Sequence, residues 1–209
     1  MNKFNTTGVV LKSVNYKDAD KLFTILTRDH GKLSAMAKGV RKISSRRAGN
    51  LDTLNLVTLK ISESRAGFKL IDEVKTLNSF RDTKKSYELS CLGYYMVELV
   101  HRSFEEGHEA GEIFNVLVSC LKALPNSRVS PNLIVNHFEL ELLRILGYEF
   151  QVERYAFNKK SSDLLNRLRK GQFPKDANPK VEEDVDKLIK GFLTMHLDSK
   201  IKSLELKAS

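Results

Sequence analysis

The hydrophobic pattern of this 209-residue chain changes period near Phe80–Arg81, and that change limits the fold more than any other feature. Before it, apolar residues come in short β-rich segments: Thr6–Lys12, Lys21–Thr27, Lys32–Ala37, Leu54–Ile61 and Phe68–Leu77. Breaks such as Asp29–His30–Gly31 and Ala66–Gly67 separate them, as expected of hairpins in a small all-β unit. Five short strands in about eighty residues predict a small closed barrel.

Past Arg81 the apolar residues recur every three or four positions: Leu89, Leu92, Met96 and Leu99, then Ile134, Phe138, Leu142 and Ile145, and later Val181, Val185, Leu188 and Phe192. These predict amphipathic helices, interrupted at Leu124–Pro131 and across roughly Gly147–Asn178. The last has its own start signals: Asn178 as cap, Pro179 at the first helical position, and Glu182, Glu183 and Asp184 at the positive end of the dipole. The expectation is an α+β chain, with a barrel over residues 1–80 and a mainly helical domain over 81–209.

Charge divides at the same place. Residues 1–80 hold fifteen Lys and Arg against seven Asp and Glu, and the remainder hold twenty against nineteen. Almost all of the formal +9 therefore lies in the β-rich part. A basic surface of this kind suggests a polyanionic partner, although it can also serve solubility alone. The apolar runs are too short to cross a bilayer, and the start MNKFNTTGVV lacks the apolar core of a secretory signal. The expectation is a cytoplasmic protein with no membrane partner. Cys91 and Cys120 both sit in helix-like apolar patterns and read as small buried hydrophobes.

Motifs of catalysis are not found: no GxxxxGK[ST] phosphate loop, no GxGxxG and no HExxH. Asp18 and Asp20, in KDADK, have oxygen ligands suited to a metal ion, but flanking lysines and a turn position favour solvated carboxylates. His101 and His108 stand seven apart without a cysteine partner at zinc spacing. Tyr94, Tyr95 and Phe104 lie on helical spacing and read as core.

The densest feature is AKGVRKISSRRAGN, residues 37–50, with Lys38, Arg41, Lys42, Arg46 and Arg47 and no acid. It follows a strand, carries Gly39 and Gly49 as flexible points, and adds Ser44 and Ser45, all suited to donating hydrogen bonds to phosphate oxygens. A solvated loop with no partner is the plainer alternative. Barrels of the oligonucleotide-binding (OB) type favour the former, because they commonly bind single strands in a basic groove. Phe4, Tyr16, Phe23 and Phe68 are the candidates for stacking on bases, though strand parity places some of them in the core.

The same residues carry a resemblance. Gly8-Val9-Val10-Leu11-Lys12, Tyr16-Lys17-Asp18-Ala19-Asp20-Lys21-Leu22, Leu26-Thr27 with Gly31-Lys32-Leu33, and Ala37-Lys38-Gly39-Val40-Arg41 with Gly49 are similar, in order and spacing, to the amino-terminal signature of the bacterial RecO family of recombination mediators. Phe138-Glu139-Leu140, Leu142-Leu143 and Leu146-Gly147-Tyr148 resemble the family's helical domain, and His196-Leu197 with Lys202-Ser203-Leu204 its final helix.

What the resemblance implies is an N-terminal OB-fold barrel joined to helices, with a binding role and no turnover or cofactor. Such proteins bind single- and double-stranded DNA, anneal complementary strands covered by single-strand-binding protein, and act with RecR in helping RecA load. That would place the chain at the nucleoid. Many members carry a four-cysteine zinc module after the Leu-Gly-Tyr segment, whereas GYEFQVERYAFNKKSSDLLNRLRKGQF holds no cysteine, which implies a zinc-free variant. The expected DNA contacts are Lys38, Arg41, Lys42, Arg46 and Arg47, with Lys12 and Lys32 on neighbouring strands. Two other classes stay open: an RNA-binding OB protein of translation or ribosome assembly, and a protein-interaction adaptor acting through its helices.

Overall fold

A computed structural model describes residues 2–42, 45, 48–126, 128–152 and 158–197. Its strands are β1 (Asn2–Tyr16), β2 (Asp20–Thr27), β3 (Lys32–Ala37), β4 (Leu56–Glu63) and β5 (Lys69–Asn78). They close a barrel in the order β1-β2-β3-β5-β4, antiparallel except at β3 and β5, which meet in parallel at Met36 and Leu70. The first strand is twice as long as the apolar run suggests because it serves two neighbours. Asn2 to Val9 pair with β4 and Gly8 to Tyr16 with β2.

Alternation sets the barrel interior: Phe23 and Ile25, Leu33, Ala35 and Ala37, and Val57, Leu59 and Ile61 all point inward. The run Val9-Val10-Leu11 is apolar throughout because both of its faces are covered. Val10 enters the barrel, while Val9 and Leu11 join a second cluster outside it. A bulge between Val10 and Lys12 inserts Leu11 and leaves Lys12 exposed.

The helices are α1 (Arg81–Lys85), α2 (Tyr87–Ser103), α3 (Gly111–Ala123), α4 (Pro131–Ile145), α5 (Lys159–Arg169) and α6 (Pro179–His196). Ser86 caps α2 by accepting from the Leu89 amide at 3.3 Å, and Asn178 caps α6 from the Lys180 amide at 3.0 Å. Pro179 opens α6 at its first helical position, as the sequence predicts. Helix α5 falls inside the stretch read as an interruption. Asn158 caps it, and Leu164, Leu165 and Leu168 bury its apolar face.

Val9, Leu11, Leu26, Leu54, Leu56 and Phe80 share one core with α2, α3 and α4, so the outer wall of the barrel is also the floor of the helical part. At about 1.5–3 kcal/mol for each large side chain, this shared burial ties the two halves together. The loop between α2 and α3 adds backbone bonds. The Gly107 amide donates to the Lys32 carbonyl at 3.0 Å, and Ser34 Oγ donates to Glu106.

Of the aromatic residues expected in the core, Tyr95 is buried and donates to the buried Glu139 at 2.5 Å, Phe104 packs against the shared cluster, and Tyr94 is exposed. Cys120 is buried, which pushes its thiol up to about 12, whereas Cys91 is only half-buried.

A third cluster fills the segment where the resemblance directs attention to zinc. Phe150, Val152, Leu164, Leu165 and Leu168 pack against Leu140 and Leu143 of α4 and Val185, Ile189 and Leu193 of α6. Apolar burial here supplies what a structural metal supplies in a small module. Purified protein is therefore expected to hold no stoichiometric zinc and to melt at the same temperature with and without chelator. Elemental analysis showing one zinc per chain would contradict this.

Candidate nucleic-acid interface

The basic segment leaves the end of β3 through a turn, Lys38–Lys42, that packs on the β1–β2 turn. Gly39 has a φ of +65°, and its amide donates to Asp20 Oδ1 at 2.7 Å. The Arg41 amide donates to the Ala19 carbonyl at 3.0 Å, and one terminal nitrogen of its guanidinium donates to the carbonyls of Asp18 and Lys17 at 3.1 and 3.3 Å. Asp20 is thus more than a solvated turn carboxylate: one of its oxygens accepts a bond from the turn after β3. Among the described residues no three His, Cys, Asp or Glu side chains converge as a metal site.

The far end of the segment is also tied down. A 3-10 turn, Gly49–Leu51, is held by the buried Asn55, whose amide nitrogen donates to the carbonyls of Gly49 and Asn50 at 3.1 and 3.0 Å. Lys84 of α1 donates to Asn55 Oδ1 at 2.7 Å, and Thr76 Oγ1 donates to Asn50 Oδ1 at 2.7 Å. Burial lowers the Lys84 ammonium from its ordinary range, although the Asp52 carboxylate opposes this. Between these anchors Lys38, Arg41 and Lys42 are exposed. Arg46 and Arg47 lie outside the described residues.

The outer face of the sheet beside this turn carries a feature that the sequence reading missed. The strand registers align Val14, Leu22, Met36 and Leu70 across β1, β2, β3 and β5 as one cross-strand row. Val14 is 45% exposed and the other three are half-buried. Tyr16, also 45% exposed, lies at the turn end of this face, with the Lys17 ammonium 5.5 Å from its ring centre. Lys12 stands on the other side of the row, paired with Thr24. From Lys12 to Tyr16 is about 13 Å at the rise of an extended strand. Cations therefore border both sides of an aliphatic strip.

The remaining stacking candidates divide: Phe23 is in the barrel core, Phe4 packs on that core with its ring 4.2 Å from His30, and Phe68 is exposed at the β4–β5 turn. A hollow of about 600 Å³ opens under the basic segment, lined by Ser13, Asn15, Lys21, Arg41, Lys42 and Asp52 among others.

Lys32 departs from the expected set. It is buried, and its ammonium donates to the His101 carbonyl at 2.7 Å. Desolvation lowers its pKa, although Glu106 and Glu105 oppose that shift. A lysine so enclosed joins barrel to helix, with its ammonium engaged by protein. Its nearby cleft of about 800 Å³ mixes Arg28 and Lys69 with Asp29, Glu63, Glu106 and Glu109, which is a poor match for a polyanion.

A five-stranded closed barrel with a helical extension is the architecture of an OB-fold chain, and its cationic loop is consistent with DNA binding. Comparison with known families is specific. The model "Recombination protein O N terminal" matches residues 1–80 and "Recombination protein O C terminal" matches residues 84–164. The chain belongs to the RecO family.

It is similar to the DNA repair protein RecO of Thermoanaerobacter sp. (strain X514), with 23% identity over 97% of this chain and 96% of that protein. The DNA repair protein RecO of Myxococcus xanthus (strain DK1622) is 32% identical over 70% of this chain and 60% of its own length. That of Dehalococcoides mccartyi (strain ATCC BAA-2100 / JCM 16839 / KCTC 5957 / BAV1) is 29% identical over 73% and 60%. The matches to these last two span about three fifths of those relatives. Among the described residues no helix is long and apolar enough to cross a membrane.

Proposed function

We propose that the chain is a DNA-binding recombination mediator of DNA repair, acting at the nucleoid by binding without turnover. On this reading it holds single- and double-stranded DNA, anneals complementary strands covered by single-strand-binding protein, and with RecR helps RecA to load. The observation that carries it is the strip of Val14, Leu22, Met36 and Leu70, with Lys12 on one side and Lys17 beside Tyr16 on the other, while the turn that exposes Lys38, Arg41 and Lys42 packs on the same β1–β2 turn. Residues 1–80 supply the DNA contacts, and residues 81–209 brace the barrel and offer the protein contacts.

Base faces rest on aliphatic carbon while phosphates meet long cations. Such a surface holds a strand without reading base edges, because phosphate contacts position a chain and carry no sequence information. Neutralising phosphates on two strands at once lowers their mutual repulsion while bases pair. Annealing requires little more chemistry than that.

The test is annealing of complementary oligonucleotides, naked and coated with single-strand-binding protein, with structured RNA as competitor. Faster annealing of coated strands is expected, with single-stranded DNA competing better than RNA. Equal rates with and without the protein would remove the reading, and preference for structured RNA would move it to an RNA-binding role.

A further inference from the structure

Asp20 is out of place on a surface that attracts phosphate. Its carboxylate lies at the root of the basic segment, where Coulomb repulsion alone would make it a hindrance to DNA binding. Its geometry gives it another use. Asp20 Oδ1 accepts from the Gly39 amide at 2.7 Å, and the guanidinium of Arg41 reaches back across the same junction to the Lys17 and Asp18 carbonyls. The Arg41 amide also donates to Ala19, so four bonds, all donated from the turn after β3, are accepted on the β1–β2 turn by backbone and side chain alike. Gly39 and Lys17 both have positive φ, +65° and +52°, so each turn is bent sharply where the other meets it.

We propose that Asp20 and Arg41 are positioning residues, which lock the turn after β3 onto the β1–β2 turn and so hold Lys38 and Lys42 exposed in a fixed turn before any nucleic acid arrives. This rests on the nucleic-acid reading above. A cationic loop that must be ordered on binding loses conformational entropy at that moment, whereas a loop already fixed does not. Arg41 suits the task because one terminal nitrogen, with its two N–H groups, reaches both carbonyls and leaves the other N–H groups of the guanidinium for phosphate. Only part of its role is then charge.

Two isoelectric comparisons separate position from charge. Asp20→Asn and Asp20→Ala both remove one negative charge, but only asparagine retains an oxygen to accept from Gly39. Asp20→Asn is expected to bind oligo(dT) at least as tightly as wild type, and Asp20→Ala about fivefold more weakly than Asp20→Asn, the worth of about one net hydrogen bond. Arg41→Lys keeps its charge but ends one atom short of the terminal nitrogen that reaches both carbonyls, and should bind about fivefold more weakly than wild type.

A second readout needs no nucleic acid. Trypsin cleavage after Lys38, Arg41 and Lys42, mapped by mass spectrometry, should quicken in Asp20→Ala and not in Asp20→Asn. Equal cleavage of wild type and both Asp20 variants would overturn the lock. Faster cleavage of Asp20→Ala with equal binding of the two variants would overturn its positioning role. Wild-type protein that binds neither DNA nor RNA would remove the functional reading and the positioning role with it.

Discussion

Replacing Gly31 with alanine is expected to cost more than about 4 kcal/mol and to leave little folded protein, although it adds a single methyl group. Gly31 sits between β2 and β3 with a φ of +63°, and a Cβ built there would lie 1.9 Å from the His108 carbonyl oxygen and 2.9 Å from its carbon. Neither side can retreat easily. Thr27 donates to the Gly31 carbonyl through both its amide, at 2.8 Å, and its hydroxyl, at 2.7 Å, while the neighbouring Gly107 amide is bonded to the Lys32 carbonyl. Relief requires the α2–α3 loop to leave the barrel, which would expose the wall shared with the helices.

Gly67→Ala is the control: its φ is +79° but nothing stands within 4 Å of the added carbon. It should cost only the conformational part, about 1–2 kcal/mol. Urea denaturation of the two variants would measure the difference. If Gly31→Ala unfolds at nearly the same urea concentration as Gly67→Ala, barrel and helices meet more loosely than the structure shows.

This contact illustrates what the sequence could and could not show. The change of rhythm at Phe80–Arg81 marks where strands give way to helices, because period 2 and period 3.6 leave different traces. β5 ends at Asn78 and α1 begins at Arg81. The ends of β1 were harder to see, since Asn2–Asn5 and Ser13–Tyr16 mix polar with apolar residues where one side faces solvent. Helix α5 was missed for a related reason. KKSSDLLNRLR buries only a narrow stripe, and its clearest signals are the Asn158 cap and the Leu164, Leu165 and Leu168 spacing.

The candidate site was legible as charge and illegible as geometry. Composition placed Lys38, Arg41 and Lys42 on an exposed turn correctly, yet Lys32 carries the same charge in the same region and is buried under His101. Only tertiary packing distinguishes them. The aliphatic strip was invisible for a different reason: Val14, Leu22, Met36 and Leu70 are scattered in the chain and become neighbours only through three strand registers. No local pattern records a cross-strand row.

Salt dependence should show the largest functional effect. Binding through phosphates releases condensed counterions, and each phosphate neutralised on a single strand contributes about 0.7 to the slope of log affinity against log salt. Replacing Lys38, Lys42, Arg46 and Arg47 with Ala, while keeping Arg41 and its bonds to the β1–β2 turn, should lower that slope by up to about 2.8. Between 50 and 200 mM salt the wild-type affinity would then fall about fiftyfold more than that of the variant. The loss should be similar for unrelated sequences, because phosphate contacts carry no sequence information. Stability should change by less than about 0.5 kcal/mol per site, since Lys38 and Lys42 are exposed loop positions. Annealing should decline in step with binding. A four-site variant that keeps the wild-type salt slope and annealing rate would show that the basic segment does not contact phosphate, and the strip between Lys12 and Tyr16 would lose its role as a path for the strand.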